Sequence, residues 1–427
     1  MRQNTEISKR EKTRLLTKER RSNLFCKVFK LKIDKSHLSQ KTEKHLHNLF
    51  LEVKWFYNYA LSLDDLKKLN TKLLAVPVKV KDKTEIRNIL TISSQMKQGI
   101  RDRIWSNLKS LSSHKKNGNK VGKLKFKSRL HSVPLNQLNN TFSINFDNHY
   151  IKIQGLKAKL KVRGLDQISS LKEYEIANAT LVKRINDYYL YVTCYVTKEI
   201  KAPKLFSVGI DFGCNTQLTL SNGIKIEYQV PISPKIKRLD RKIMKGNRHK
   251  KIRTHNLIKD QVKREKAYSK LNNKKQDIKN KIVSILKNNY EVVCFQNESI
   301  KGWQAGNHGK KIQNTAIGGI ISILKNRIHT PVIVNKFFPS TQLCPQCGIK
   351  NKLELSDRIY ECSCGYKNDR DIKSAIMIEK EGLKQLQENS KILTERKEFK
   401  PQEQKTSTEY ILNLFKQVKN ISASLQQ

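Results

Sequence analysis

Between residues 343 and 375 the chain reads LCPQCGIKNKLELSDRIYECSCGYKNDRDIKSA. Cys344 and Cys347 form a CxxC knuckle followed by Gly348, and Cys362 and Cys364 form a shorter CxC knuckle followed by Gly365. Four thiolates in two such pairs can converge on one tetrahedral Zn²⁺. Because sulfur fills every ligand position, this metal is expected to be structural and closed to water. A redox pair is the alternative, but redox chemistry does not call for two knuckles with a glycine after each.

Three further positions place a carboxylate where the backbone changes direction. Asp211 ends the run VGID and is followed by Gly213, Glu298 closes the apolar run VVCFQNE, and Asp369 and Asp371 open DIKSAIMI directly after the second knuckle. Acids at strand ends and at a helix start can gather above an α/β sheet and hold two Mg²⁺ about 4 Å apart for in-line phosphodiester hydrolysis. Each acid also has a plainer reading: a helix cap for Asp371, a turn for Asp211, a solvated loop for Glu298.

Elements that could position these groups follow from periodicity. The segment 24–33, LFCKVFKLKI, alternates like a strand, whereas Leu46, Phe50, Val53, Phe56, Tyr57 and Ala60 recur at helical spacing, and a helical block of about three elements is expected over 35–113. Short β segments separated by turn signals fill 115–200 and predict a barrel or strongly curved sheet completed by strand 24–33, with the helical block inserted. From residue 201 the pattern is three strands, a long basic helical region over 234–289, the buried strand ending at Glu298, a helix near 313–327 and the strand PVIVNKFFP. That order predicts a layered α/β fold, interrupted in its second half by the cysteines. Cys26, Cys194, Cys214 and Cys294 lie on apolar stretches and are expected in cores.

Composition narrows the partners. The chain has 427 residues, with 86 Lys+Arg against 37 Asp+Glu, a formal charge of +49. Such a chain repels itself unless a polyanion accompanies it, so nucleic acid is the expected partner even after allowing for AT-rich codon bias toward Lys and Asn. No apolar run reaches the length of a membrane span and the basic first residues contain no apolar signal core; Glu6, Glu11 and Glu19 argue against a mitochondrial presequence. A cytoplasmic, nucleoid-associated prokaryotic protein with reduced cysteines is expected.

VGIDFG, FQNESIKGW, the two knuckles and DRDIKSA, in this order, resemble the split RuvC nuclease of transposon-encoded TnpB proteins and the miniature type V CRISPR effectors. KWFYNYALS, GKLKFKSRL and LKVRGL extend the resemblance over about residues 24–380. It implies an α+β multidomain protein: a basic leader (1–23), a wedge-type β-barrel (24–34 and 114–203), a helical recognition insertion (35–113), an RNase H-like RuvC domain (204–339 and 367–380), a zinc ribbon that binds target nucleic acid (340–366) and a polar tail (381–427). Carried over by residue, the resemblance implies Asp211, Glu298 and Asp371 as catalytic ligands of two Mg²⁺, with Cys344, Cys347, Cys362 and Cys364 on Zn²⁺. Many relatives carry the second acid at the position of Gln296; Glu298, two residues on and on the same face of an extended strand, takes that role here. Asp369 is then a structural partner, and Trp303 belongs to a lid. The implied activity is Mg²⁺-dependent, RNA-guided cleavage of double-stranded DNA, with the basic segments 235–289 and 115–127 against RNA or DNA. The alternative is an RNA-guided DNA-binding protein with weak or no cleavage that acts as a repressor, and loss of an acid would mark it.

Overall fold

The structure is a computed structural model that describes residues 9–22, 24–80, 83–185, 187–197, 205–249, 254–306, 309–354, 356–389 and 411–416. The chain divides into two units, Met1–Glu199 and Ile200–Gln427. The remaining residues, which include Glu6 and most of the expected polar tail, lie outside the described ones.

In the first unit the order is α1 (Lys9–Ser22), β1 (Phe25–Ile33), α2 (Gln40–Ser62), β2 (Ala75–Val80), β3 (Lys83–Asn88), α3 (Ser94–Lys116), β4 (Ser132–Leu135), β5 (Phe142–Asn145), β6 (Tyr150–Ile153), β7 (Leu160–Arg163), α4 (Asp166–Ser169), β8 (Tyr174–Arg184) and β9 (Asp187–Val196). Seven strands form an antiparallel sheet in the order β4-β8-β9-β1-β7-β6-β5, so the strand at 25–33 does sit in its centre, paired to β9 and β7. Among the described residues the pairing leaves β4 and β5 as edges and does not close into a ring. Leu31, Ile33, Leu190 and Val192 point from the sheet into one core with Leu46, Leu49, Val53 and Phe56 of α2 and Met96 and Ile100 of α3.

Two expectations need correction here. The block 35–113 is not wholly helical: Ala75–Val80 and Lys83–Asn88 pair as the antiparallel strands β2 and β3, because Val76, Val78 and Val80 alternate with period two and Pro77 cannot donate to a helix. Glu52 of α2 anchors the hairpin's exit, accepting hydrogen bonds from the backbone N–H groups of Thr91 (2.7 Å) and Ile92 (3.0 Å). Cys26 is exposed rather than in the core, on the outward face of β1, whereas Cys194 and Cys294 are buried and Cys214 is half-buried. The basic leader also has structure, since Arg20 and Arg21 of α1 pair with Glu175 of β8.

The second unit runs β10 (Leu205–Phe212), β11 (Leu218–Leu220), β12 (Lys225–Ile226), α5 (Pro234–His249), α6 (His255–Asn289), β13 (Tyr290–Gln296), α7 (Ile300–Ala305), α8 (Gly309–Thr315), α9 (Ile317–Arg327), β14 (Thr330–Val334), β15 (Ile359–Glu361), β16 (Lys367–Asp369) and α10 (Arg370–Asn389). Its main sheet has the order β12-β11-β10-β13-β14; β10, β13 and β14 are parallel, and β11 and β12 are antiparallel. Strand β13 lies between β10 and β14, and its run Val292–Phe295 is apolar because both of its faces are covered. Val293 and Phe295 point into a core with Ile282 and Leu286 of α6 and Ile320 and Leu324 of α9. Val292 and Cys294 point the other way, into a core with Ile378 of α10. A helical stretch at 411–416, in the segment expected to be a polar tail, buries Ile411 and Phe415 in the first of these cores.

The contact between β10 and α10 is close enough to exclude side chains. A Cβ on Gly209 would stand 2.0 Å from the carbonyl oxygen of Ala375 and 2.8 Å from the backbone nitrogen of Glu379. A similar constraint acts at Gly382, where a Cβ would lie 2.6 Å from the sulfur of Cys294. Gly209→Ala is therefore expected to destabilise the second unit by about 1–3 kcal/mol, the range for an overpacked core, and thermal unfolding of variant against parent measures it.

Candidate active site and metal centre

Asp211, the penultimate residue of β10, pairs with Thr219 of β11 at the carboxyl end of the parallel strands. The next parallel strand, β13, ends at Gln296, and the chain then turns back on itself: the Glu298 N–H donates to the Gln296 carbonyl at 3.0 Å. This three-residue turn removes the premise of the same-face argument, since strand alternation stops before Glu298. Asp371 enters from the other side in the first turn of α10.

The three carboxylates meet electrostatically. Asp211 is half-buried, and its carboxyl is pushed up to about 8, first by burial and then by the charges of Asp371 and Glu298, with Arg370 and Lys373 offsetting part of the effect. Glu298 is also raised, by burial. A divalent cation among these oxygens would replace their mutual repulsion by attraction, and hard oxygen donors of this kind suit Mg²⁺.

Asp369 has the structural role expected of it. Its Oδ1 accepts hydrogen bonds from the N–H groups of Asp371 (3.0 Å) and Ile372 (3.2 Å), capping α10. Its Oδ2 pairs with Lys225 of β12 at 2.7 Å. Burial acts to raise this carboxyl, but Lys225 and the two amides together hold it below the usual carboxylate range.

The cysteines form the ribbon. Cys344 and Cys364 have their sulfurs 3.6 Å apart, and Cys347 and Cys362 have theirs 3.5 Å apart. A tetrahedron with Zn–S bonds of about 2.3 Å has sulfur–sulfur edges of about 3.8 Å, so the four thiols fit one zinc ion. Among the described residues this is the one group of three or more His, Cys, Asp or Glu side chains whose ligand atoms all lie within 4.8 Å of one another. Gly348 (φ +73°) and Gly365 (φ +85°) adopt the left-handed turns that the knuckles require. The backbone of Cys364 donates toward the sulfur of Cys362 and lowers that thiol, while the neighbouring thiols raise Cys364.

Ribbon and acids are joined by covalent geometry. β15 and β16 form a hairpin with the second knuckle at its tip, and the returning strand ends on Asp369, the cap of α10. Two buried side chains reinforce the junction: Gln296, whose bonding role sequence reasoning did not foresee, and Lys373, which it did not single out. Gln296, at the position where many relatives are expected to carry an acid, is 6% exposed and makes hydrogen bonds to residues 335–340. Lys373 is 0% exposed, and its ammonium stands 3.9 Å from the ring centre of Tyr360 in β15. Burial lowers Lys373 to about 8. The one available signal was a lysine in the otherwise apolar face of DIKSAIMI. Trp303 in α7 is half-buried against the second unit's core.

The second unit is thus a layered α/β fold with Asp211 near the carboxyl end of β10, Glu298 just past β13, Asp371 in the first turn of α10 and a four-cysteine ribbon leading into that helix. Within it, residues 324–378 match the family model of the Cas12f1-like TNB domain. A curated relative from Streptomyces pristinaespiralis, named as a candidate RNA-guided DNA endonuclease, is 27% identical over 210 residues, covering 47% of this chain and 51% of that protein. The chain thus spans about half the length of the curated relative it matches. Among solved structures, a chain of a Cas12f1–sgRNA–target DNA complex determined by cryo-EM aligns over 84% of this chain and 99% of its own, with 14% identity and a TM-score of 0.47. The chain is similar to TnpB proteins and miniature type V effectors. Among the described residues no helix is long and apolar enough to cross a membrane.

The raised Asp211 carboxyl predicts a pH dependence. The folded protein keeps this proton up to about 8, while an unfolded chain loses it near 3.8, so the stability linked to it is fully present below 3.8 and lost as pH rises through 8. Asp211→Asn is expected to abolish this loss and, allowing for partial solvation of the site, to stabilise the protein by about 1–3 kcal/mol at pH 8 without added divalent cation. Thermal unfolding of parent and variant at pH 5 and pH 8 reads the difference.

Proposed function

We propose that this chain is an RNA-guided DNA endonuclease with a single RuvC-type site, in which Asp211, Glu298 and Asp371 hold two Mg²⁺ and hydrolyse a phosphodiester bond of DNA complementary to a bound RNA. The observation that carries the reading is the placement of Asp211 at the end of β10, Glu298 just past β13 and Asp371 at the start of α10, on a sheet whose order supports an RNase H-like topology. Bound Mg²⁺ would supply charge neutralisation at the scissile phosphate and activation of a water nucleophile.

The chain's own residues supply the frame. Asp369 fixes the first turn of α10 and so the direction from which Asp371 enters. Arg370 donates to the carbonyls of Glu354 (2.6 Å) and Asp357 (3.3 Å), tying that turn to the ribbon. The positive charges of Arg370 and Lys373 moderate the repulsion among the acids. In this reading residues 24–34 and 114–203 are a wedge-type domain, 35–113 a recognition insertion, 204–339 and 367–380 the nuclease domain, and 340–366 a zinc ribbon against the target strand. The net charge of +49 fits a long RNA and makes complex formation steeply salt-dependent. Sequence is then read by base pairing, while Lys and Arg of α5 and α6 grip the backbone.

The decisive experiment purifies the protein expressed from its own locus, sequences the bound RNA and measures cleavage of a matched duplex with and without Mg²⁺. A defined co-purifying RNA is expected, together with Mg²⁺-dependent cleavage that falls at least about 100-fold in Asp211→Ala, Glu298→Ala and Asp371→Ala while DNA binding persists. Absence of a specific RNA would overturn the guided reading. Full cleavage by Asp371→Ala would overturn the assignment of the site.

A further inference from the structure

Residues 335–343 run from the end of β14 to the first ribbon cysteine, and buried side chains grip this short segment from both sides. From the strand that leads to Glu298, Gln296 donates through Nε2 to the carbonyls of Asn335 (3.1 Å), Lys336 (3.1 Å) and Phe338 (2.9 Å). Its Oε1 accepts from the Ser340 hydroxyl at 3.1 Å. From the helix that carries Asp371, Lys373 donates through Nζ to the carbonyls of Ser340 (3.0 Å) and Leu343 (3.1 Å). Tyr360, whose ring lies under that ammonium, donates its hydroxyl to the Gln342 carbonyl at 3.1 Å.

The arrangement is symmetrical in sequence: Gln296 stands two residues before Glu298, and Lys373 stands two residues after Asp371. Ser340 is held by both, its hydroxyl by Gln296 and its carbonyl by Lys373, and it is 4% exposed. Leu343 is bonded directly to Cys344. A buried ammonium and a buried amide are each costly without partners, so neither can release the segment cheaply.

We infer that segment 335–343 is a strap through which the metal-loaded ribbon sets the separation of Glu298 and Asp371, with Gln296 and Lys373 as the positioning residues at its two ends. This inference rests on the proposed role of the acids as metal ligands. Unfolding of the first knuckle frees Leu343 and Tyr360, takes two of Lys373's contacts with them, and loosens the first turn of α10. The inference also explains why the position of Gln296 does not carry an acid in this chain. A carboxylate there would face three carbonyl oxygens and could donate to none of them.

The test uses the full chain with its co-purified RNA and two readouts other than cleavage: zinc per chain by atomic emission, and Mn²⁺ binding by electron paramagnetic resonance. Mn²⁺ binding is taken as the difference from Asp211→Ala, so that ions held by RNA cancel. Lys373→Met and Gln296→Met are expected to retain one zinc and to weaken the Mn²⁺ site about 10–100-fold, as loss of groups that orient metal ligands does. Removal of zinc from the parent protein is expected to weaken the same site, which tests the coupling even if neither variant folds. Parental Mn²⁺ affinity in the zinc-loaded variants, or in the zinc-stripped parent, would overturn the strap. If Asp211→Ala itself binds Mn²⁺ like the parent, the acid site and the strap fall together.

Discussion

The second unit is organised around a repulsion. Asp211 of β10, Glu298 just past β13 and Asp371 of α10 share one field, and burial together with the charges of the other two acids holds the Asp211 carboxyl up to about 8. Such an arrangement does not persist unless the elements beneath it are too tightly packed to relax. That packing is visible at Gly209 and Gly382, where α10 lies so close to β10 and β13 that a methyl group has no room. The acids cannot spread by tilting the helix. Arg370 and Lys373 offset part of the repulsion, and the raised Asp211 carboxyl relieves more of it by keeping its proton.

Much of this was legible in the sequence because the chemistry is concentrated in residue types with few other uses. Two knuckles with a glycine after each specify four thiolates facing one another, and both glycines do have positive φ. Asp211 and Asp371 stand out in the sequence because each follows a sharp change of texture. The assignment of Asp369 as a structural partner follows from its place before the helix and agrees with its capping bonds. Glu298 shares the field of Asp211, although strand alternation was the wrong argument for it, since the strand ends at Gln296.

The residues that were not legible act through burial and geometry. Gln296 and Lys373 are polar side chains whose partners are backbone carbonyls distant in sequence, so no spacing rule reveals them. The β2–β3 hairpin was missed because short apolar segments between long helices share their composition with helices, and only the alternation of Val76, Val78 and Val80 separates the two. Closure of the first sheet depends on curvature, which a list of strands does not contain. Helix α1 is held by ion pairs with Glu175, a residue whose position no local pattern discloses.

Ile411 and Phe415 bear on how the protein is made. The core they complete begins with β10 at Leu205 and includes α6 and α9, yet one of its walls is supplied only at residues 411–415. A ribosome delivers this chain from its N-terminus, and the first unit has its own core to fold around while the second waits. Asp211, Glu298 and Asp371 emerge well before that wall. A polypeptide released short of Phe415 therefore carries Asp211, Glu298, Asp371 and every ribbon cysteine but leaves an apolar face of the second unit's core open to water, so incomplete translation products are marked for aggregation or proteolysis.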